Sequence, residues 1–140
     1  MNVQPYLFFN GRAEEALAFY SQAFGTQPTA LMRYSEAPDP PPPGMLPPGN
    51  AHKVMHASLR VGGTELMLSD GTCSGQLQFV GVALAVDTPD AATARRYFDA
   101  LAAGGQVTMP LGQTFWSPLF GMVTDRYGVA WMVMVEGQPQ

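Results

Sequence analysis

Hydrophobic residues first recur at helical spacing in the stretch that follows a short apolar run near the start of the chain. The run Gln4 to Asn10 combines aromatic and aliphatic residues and ends at Gly11, which predicts a strand. Gly25 stands where a left-handed residue commonly ends a helix, and Asn10 or Gly11 is expected near the N-cap. The helical positions between them are Ala13, Ala16, Leu17, Tyr20 and Phe24.

A second strand and helix follow in the same order further along the chain. The run Phe79 to Asp87 predicts the strand, and Asp87-Thr88-Pro89 supplies a cap residue and a first-turn proline. Placing Leu7 on Leu84 also places Tyr20 on Tyr97 without a gap, which indicates internal duplication. The predicted buried stripe of this helix consists of Ala91, Ala94, Phe98 and Leu101.

Each half also ends in a hairpin pattern. In the first half, Gly62-Gly63 separates two apolar runs, Met55 to Val61 and Thr64 to Ser69, and supplies the positive φ of a tight turn. Asp125 to Gly128 takes the corresponding place in the second half. The expected fold is therefore α+β, with tandem β-α-β-β-β repeats over about 1–78 and 79–140 of one domain spanning residues 1–140.

Residues 37–50 form a proline-rich segment that fits neither repeat. Proline lacks the N–H that a helix or a strand ladder requires, so the segment is predicted to be irregular. It is either a tolerated surface insertion or a part of the protein that covers a cleft or contacts a second copy.

The charge balance narrows the classes of partner. Charged residues make up 13% of the chain, hydrophobic residues 46%, and the net charge is −4, which argues against disorder and against a basic nucleic-acid surface. The apolar runs are strand-sized, so no membrane span is predicted. No basic leader pattern opens the chain and Cys73 is the single cysteine, so a cytoplasmic location is expected. The charge balance favours a small organic molecule as the partner.

Several short segments resemble the PhnB-like branch of the vicinal-oxygen-chelate superfamily, which includes glyoxalases and bleomycin-resistance proteins. The resemblance implies that the two repeats form a curled mixed sheet around a cleft and that the protein is a homodimer. The segments are Met55-His56-Ala57, Gly62-Gly63, Leu66 to Asp70, Thr114-Phe115-Trp116, Phe120-Gly121 and Thr124 to Met132.

The resemblance also indicates where enzymes of the superfamily hold their metal ion. The matching positions in this chain are Gln4, Met67, Gly81 and Met132. A glycine and two thioethers do not supply the donors that zinc, nickel or magnesium needs, so neither a metal nor a cofactor is predicted. His52 and His56 do not replace them, because on a strand their Cα atoms lie about 13 Å apart.

Strand alternation assigns the side chains that line the expected cleft. Its face would be soft and largely apolar, which favours binding of a small hydrophobic or aromatic molecule. The alternative that these side chains only fill the space between sheets, or bury a dimer interface, stays open. The predicted ligand-binding residues are Tyr6, Phe8, His56, Met67, Ser69, Trp116, Met132 and Met134.

Catalysis is left open by the residues themselves. His56 has the side chain best suited to proton transfer, although a hydrogen-bonded structural histidine is the favoured interpretation of its position. One alternative is a metal-dependent lyase or isomerase of the glyoxalase type that uses His56 and Glu65. Some PhnB-like proteins are labelled 3-demethylubiquinone 3-methyltransferase, but Gly62-Gly63 is placed inside a hairpin and not between a strand and a helix. Ser69-Asp70 and Thr124-Asp125 are interpreted as turn residues.

Overall fold

The structure is a computed structural model that describes residues 1–39, 46, 49–71, 73 and 78–136. The chain divides into two compact units, Met1–Leu77 and Gln78–Gln140. Both units have the element order β-α-β-β-β, which confirms the predicted α+β class and the tandem order of elements. Residues 40–45, 47 and 48 of the proline-rich segment lie outside the described residues, and the one-domain description of residues 1–140 stays a prediction.

The first unit places one helix against a four-stranded sheet. The strands lie in the order β1-β4-β3-β2, where β1 is parallel to β4 and the other neighbours are antiparallel. A short 3₁₀ turn, Tyr34–Glu36, follows β2. The elements are β1 (Tyr6–Phe8), α1 (Ala13–Phe24), β2 (Pro28–Arg33), β3 (Val54–Val61) and β4 (Thr64–Ser69).

The second unit repeats this topology strand for strand. Its sheet order is β5-β8-β7-β6, with β5 parallel to β8 and the remaining pairs antiparallel. Strands β2 and β6, which each lie at one edge of their sheet, carry mostly exposed side chains. Their bounds are therefore difficult to predict from a pattern of apolar residues. The elements are β5 (Ala83–Thr88), α2 (Ala91–Ala102), β6 (Gln106–Gly112), β7 (Phe120–Thr124) and β8 (Ala130–Val135).

Helix α1 has the bounds that its apolar spacing predicts. Gly25 ends it in the left-handed conformation, at φ 65° and ψ 37°, and Thr26 donates its N–H to the Ser21 carbonyl at 2.9 Å. The predicted stripe is buried against the sheet, where Leu59 and Leu68 are inaccessible to solvent. Burial of each such leucine contributes about 1.5–3 kcal/mol relative to exposure.

The N-terminus of α1 is capped by a residue far away in sequence. Oδ1 of Asp70 accepts hydrogen bonds from the N–H groups of Gly11 at 2.7 Å and Ala13 at 2.9 Å, while Oδ2 accepts one from Val54 at 2.9 Å. The N-cap position itself is Arg12, whose side chain makes no capping bond. Asn10 and Gly11 therefore lie next to the N-cap, as expected, but a buried carboxylate after β4, and not a local side chain, satisfies these amides.

Helix α2 begins later than its sequence suggests. Asp90 is the N-cap and accepts a hydrogen bond from the Thr93 N–H at 2.7 Å, whereas Asp87 lies within β5 and pairs with Met134. The cap assigned to Asp87 was therefore wrong. Ala91, expected in the buried stripe, is exposed at the first turn.

The register of the duplication differs from the gapless alignment. Tyr6 pairs with Met67 in β4, and Ala85 pairs with Met132 in β8, so Tyr6 corresponds to Ala85 and not to Ala83. Gln4 and Gly81 are consequently not equivalent positions. The reason is the strand-to-helix connection, which spans residues 9–12 in the first unit and 89–90 in the second.

The turn between β7 and β8 is held by one buried carboxylate. Asp125 accepts hydrogen bonds from the N–H groups of Tyr127 at 2.8 Å and Val129 at 3.1 Å. It also accepts one from Nε1 of Trp131 at 2.8 Å, and Trp131 is buried in the core as its strand position predicts. The structural interpretation of Asp125 is confirmed. Among the described residues, no helix is long and apolar enough to cross a membrane.

Candidate functional site

One face of the first unit's sheet is turned away from α1, and we call it the helix-free face. Leu7, Leu66 and Leu68 lie on the other side and are buried. Strand pairing places Tyr6 beside Met67, Phe8 beside Ser69, and Met32 of β2 beside His56. The helix-free face therefore includes Tyr6, Phe8, Met32, His56, Ser58, Met67 and Ser69.

Two aromatic rings stand exposed on this face. Tyr6 and Phe8 stack with their centroids 5.1 Å apart and an interplanar angle of 27°, and they are 39% and 54% exposed. Exposed aromatic surface beside a row of polar groups is typical of a binding site. The half-buried Met67 pairs with Tyr6 and adds a flexible thioether next to the rings.

His56 is oriented by the neighbouring phenol. The Tyr6 hydroxyl and Nδ1 of His56 are 3.0 Å apart, and the two rings lie 5.7 Å apart between centroids. Among the described residues, nothing forms a hydrogen bond to the other ring nitrogen, Nε2. The structure thus confirms that His56 is hydrogen-bonded, and its proposed role in proton transfer stays a prediction.

Ser69 lies under the aromatic pair and not on the surface. It is 3% exposed, and its Oγ accepts a hydrogen bond from the Gly71 N–H at 2.9 Å. Burial raises the pKa of the Tyr6 and Tyr34 phenols, and the nearby Ser69 hydroxyl partly opposes that rise. This burial favours a positioning role for Ser69 over direct contact with a ligand.

Tyr34 is a further residue close to Ser69 and Tyr6, and sequence reasoning missed it. Its hydroxyl donates to the carbonyl of Gly71, and burial raises its pKa. Tyr34 lies in the 3₁₀ turn after β2 and carries no motif, so only the long-range contact reveals it. Gly71 has φ +57°, and a Cβ there would stand 3.2 Å from Cδ1 of Phe8, so this glycine supports the Phe8 ring.

The segment after β4 holds the cluster together. Asp70 fixes the segment to α1 and β3, and Gly71 contacts Phe8 and Tyr34. Cys73 lies close by, and burial and the Asp70 carboxylate raise the pKa of its thiol. A raised thiol pKa lowers the thiolate fraction, which argues against a nucleophilic role for Cys73.

Three of the predicted ligand-binding residues belong to the second unit. Met132 pairs with Met122 and Met134 with Phe120, on the face of this sheet that points away from α2. The Trp116 ring contacts Phe120 at 5.4 Å between centroids. Trp116 lies in a turn closed by the hydrogen bond from the Thr114 N–H to the Ser117 carbonyl. Trp116 and Met134 are therefore neighbours of Phe120, and Met132 lies two residues before Met134 on the same face of the sheet.

The superfamily's metal ion does not fit the residues at the matching positions. Met67 is flanked across the sheet by Tyr6 and Ser58, and Met132 by Ala85 and Met122, none of which is a good ligand for a hard divalent cation.

Glu65 does not complete a site with His56. It pairs with Arg60, which places it about 13 Å from His56 along β3 at the usual strand rise. Within the described part of the chain, no group of three His, Cys, Asp or Glu side chains could hold a metal ion.

The tandem fold places the protein in the glyoxalase-like class. A glyoxalase-related enzyme from Fulvimarina pelagi shares the fold with a TM-score of 0.60 over 97% of this chain and 88% of the other, at 20% identity. Within this class, the chain belongs to the family described as 3-demethylubiquinone-9 3-methyltransferase, whose model matches residues 1–134. The predicted PhnB-like membership is thereby confirmed.

Individual relatives match along nearly the whole chain. Protein YjdN of Escherichia coli K12 is 35% identical over 99% of both chains. The crystal structure of protein PA1353 from Pseudomonas aeruginosa is 40% identical over 99% of both chains, with a TM-score of 0.85. A putative 3-demethylubiquinone-9 3-methyltransferase, PhnB protein, from Bacillus cereus is 30% identical over 96% of this chain and 99% of its own, with a TM-score of 0.79.

Proposed function

We propose that this protein binds a small aromatic or hydrophobic molecule on the helix-free face of its first unit. The observation that carries the proposal is the exposed, stacked pair of Tyr6 and Phe8. A planar ligand that lies against these rings would bury apolar surface from both partners. Ring stacking adds about 0.5–1.5 kcal/mol to the area term.

The surroundings of the pair support a preformed site. Phe8 lies over Gly71, and Tyr6 is held by its hydrogen bond with His56, so both rings are positioned before any ligand arrives. A ligand therefore meets less conformational entropy cost than it would at free surface side chains. Met67 can adjust to ligands of different outline because its side chain is flexible.

A fragment screen read by thermal shift tests the proposal, because ligands that bind the native state raise its apparent stability. We expect aromatic hits, and we expect Phe8→Ala to lower their apparent affinity at least fivefold. Phe19→Ala is the matched control, since Phe19 lies on α1, which packs against the opposite side of the sheet. Equal loss in both variants, or no aromatic hit, would contradict the proposal.

A second candidate function comes from the family description, which names methyl transfer to 3-demethylubiquinone. In this chain Gly62-Gly63 connects β3 with β4, with Gly62 at φ +59°, so this glycine pair forms a hairpin turn and not a glycine-rich loop between a strand and a helix. Calorimetry with S-adenosylmethionine distinguishes the candidates. Stoichiometric binding of that cofactor would favour methyl transfer over simple binding.

A further inference from the structure

His56 has one ring nitrogen bound to Tyr6 and a second that meets no hydrogen-bond partner among the described residues. The half-buried ring stands beside the stacked aromatic pair. Resting on the function proposed above, we infer that His56 selects aromatic ligands that carry a carbonyl oxygen, to which its Nε2–H donates a hydrogen bond.

The tautomer of His56 follows from the chemistry of its partner. A neutral imidazole carries one N–H and one acceptor nitrogen, while a phenol is a good donor and a poor acceptor. At 3.0 Å, the favoured arrangement is therefore donation from the Tyr6 hydroxyl to Nδ1. The imidazole proton then resides on Nε2, which makes that atom a donor toward the ligand.

The state of the Tyr6 phenol supports this assignment. Burial raises the pKa of Tyr6, so the hydroxyl keeps its proton around neutral pH. The nearby Ser69 hydroxyl partly opposes the rise, and burial is the larger of the two effects. The phenol proton remains for Nδ1 of His56.

The neighbours of His56 in the described part of the chain do not satisfy the Nε2 donor. Met32 pairs with His56 across β2 and β3, and its thioether is only a weak acceptor. With Nδ1 turned toward Tyr6, Nε2 points away from the phenol, so a ligand stacked on Tyr6 and Phe8 reaches it by extending past the imidazole ring. A carbonyl oxygen on its rim would give the half-buried N–H a full partner.

Two nearly isosteric probes test the selectivity. 2-Acetylnaphthalene carries a carbonyl where 2-ethylnaphthalene carries a methylene group, and calorimetry or NMR titration gives both dissociation constants. We expect the ketone to bind about fivefold more tightly, the effect of one net hydrogen bond. In His56→Phe the preference should vanish, so that the two dissociation constants become equal, whatever the change in affinity for 2-ethylnaphthalene that follows from the lost contact with Tyr6. His52→Phe, at an exposed turn, should keep the preference.

Nitrogen-15 NMR of the histidine side chains tests the tautomer without any ligand. We expect His56 to show a protonated Nε2 and an unprotonated Nδ1 in the wild-type protein, and a mixture of tautomers in Tyr6→Phe. A protonated Nδ1 would overturn the inference. Equal affinity for both probes, with both weakened by Phe8→Ala, would overturn the selectivity and leave the proposed function standing. Failure of both probes to bind would overturn the two together.

Discussion

The two units share one topology but carry different chemistry on the faces that point away from their helices. In the first unit this face holds Tyr6, Phe8 and His56, which are linked by a stacking contact and a hydrogen bond. In the second, Met109 pairs with Met122 and Met122 with Met132, so three thioethers form a row across the sheet. The repeated topology therefore does not imply a repeated site.

The difference has a physical origin in what each face must do. The helix-side positions must bury apolar surface in both units, so Leu68 and Val133 are both fully buried. The faces that point away from the helices do not have to bury apolar surface against a helix. Directional hydrogen bonds orient side chains in the first unit, whereas thioethers pack without a preferred direction. This contrast is why we locate selectivity in the first unit.

The largest expected effect comes from the two buried carboxylates, one in each unit. Asp70→Ala leaves the N–H groups of Gly11, Ala13 and Val54 without their acceptor, and should lower the free energy of unfolding by about 3–5 kcal/mol. Asp125→Ala also removes three hydrogen bonds and should cost a similar amount. Urea denaturation measures both losses.

The same two substitutions, Asp70→Ala and Asp125→Ala, test whether ligand binding depends on global stability or on the site in the first unit. Asp70 adjoins Ser69 and Gly71, so Asp70→Ala should also weaken aromatic probes at a temperature where the protein is still folded. Asp125→Ala should leave their affinity within twofold of the wild-type value. Equal weakening in both variants would mean that binding follows global stability and that the first unit holds no special site. Asp70→Asn, which keeps one acceptor oxygen, should fall between the wild-type protein and Asp70→Ala.

An intermediate effect is expected at two glycines with positive φ. Gly71→Ala and Gly128→Ala both force alanine into a left-handed conformation, at φ +57° and +92°, which costs about 1–2 kcal/mol or somewhat more. A Cβ at Gly71 also approaches Phe8 at 3.2 Å, whereas a Cβ at Gly128 has no described atom within 4 Å. Only Gly71→Ala should therefore weaken aromatic probes in a titration. Unchanged probe affinity in Gly71→Ala would show that Phe8 is not held as we propose.

Local sequence patterns were sufficient for much of the first unit. The spacing from Ala13 to Phe24, with Gly25 after it, gave the helix bounds, and strand alternation gave the shared face of Tyr6, His56 and Met67. Each of these features depends on neighbours within a few residues. Local physics therefore decides them.

Features set by distant residues were missed or misplaced. The Asp70 cap joins residues 57 positions apart, and the Tyr34 hydroxyl reaches a carbonyl 37 positions away, so no local pattern marks either contact. The duplication register failed for a related reason, since the two strand-to-helix connections differ in length. The hydrogen bond between Tyr6 and His56, separated by 50 positions, could be seen only after folding.

The smallest expected effect concerns the titration of the first unit's phenols. Burial raises the pKa values of Tyr6 and Tyr34 in the folded protein, so the neutral phenols are favoured there relative to the unfolded chain. Their contribution to stability is complete below the pKa of an unfolded tyrosine, about 10, and is lost as the pH rises through the folded values. In the wild-type protein, the free energy of unfolding measured by urea titration should therefore be lower above pH 10 than at pH 8.

The double variant Tyr6→Phe/Tyr34→Phe sharpens this test, because it removes both phenols and keeps both rings. At pH 8 it should be less stable than the wild-type protein by about 1–2 kcal/mol, the net value of two lost hydrogen bonds. Above pH 10 that gap should narrow, since only the wild-type protein then loses the contribution of the neutral phenols of Tyr6 and Tyr34. A gap that stays constant with pH would mean that the phenols titrate alike in the folded and unfolded states. The donor role assigned to Tyr6 would then lose its electrostatic support, and the contrast between the two faces would reduce to ring stacking alone.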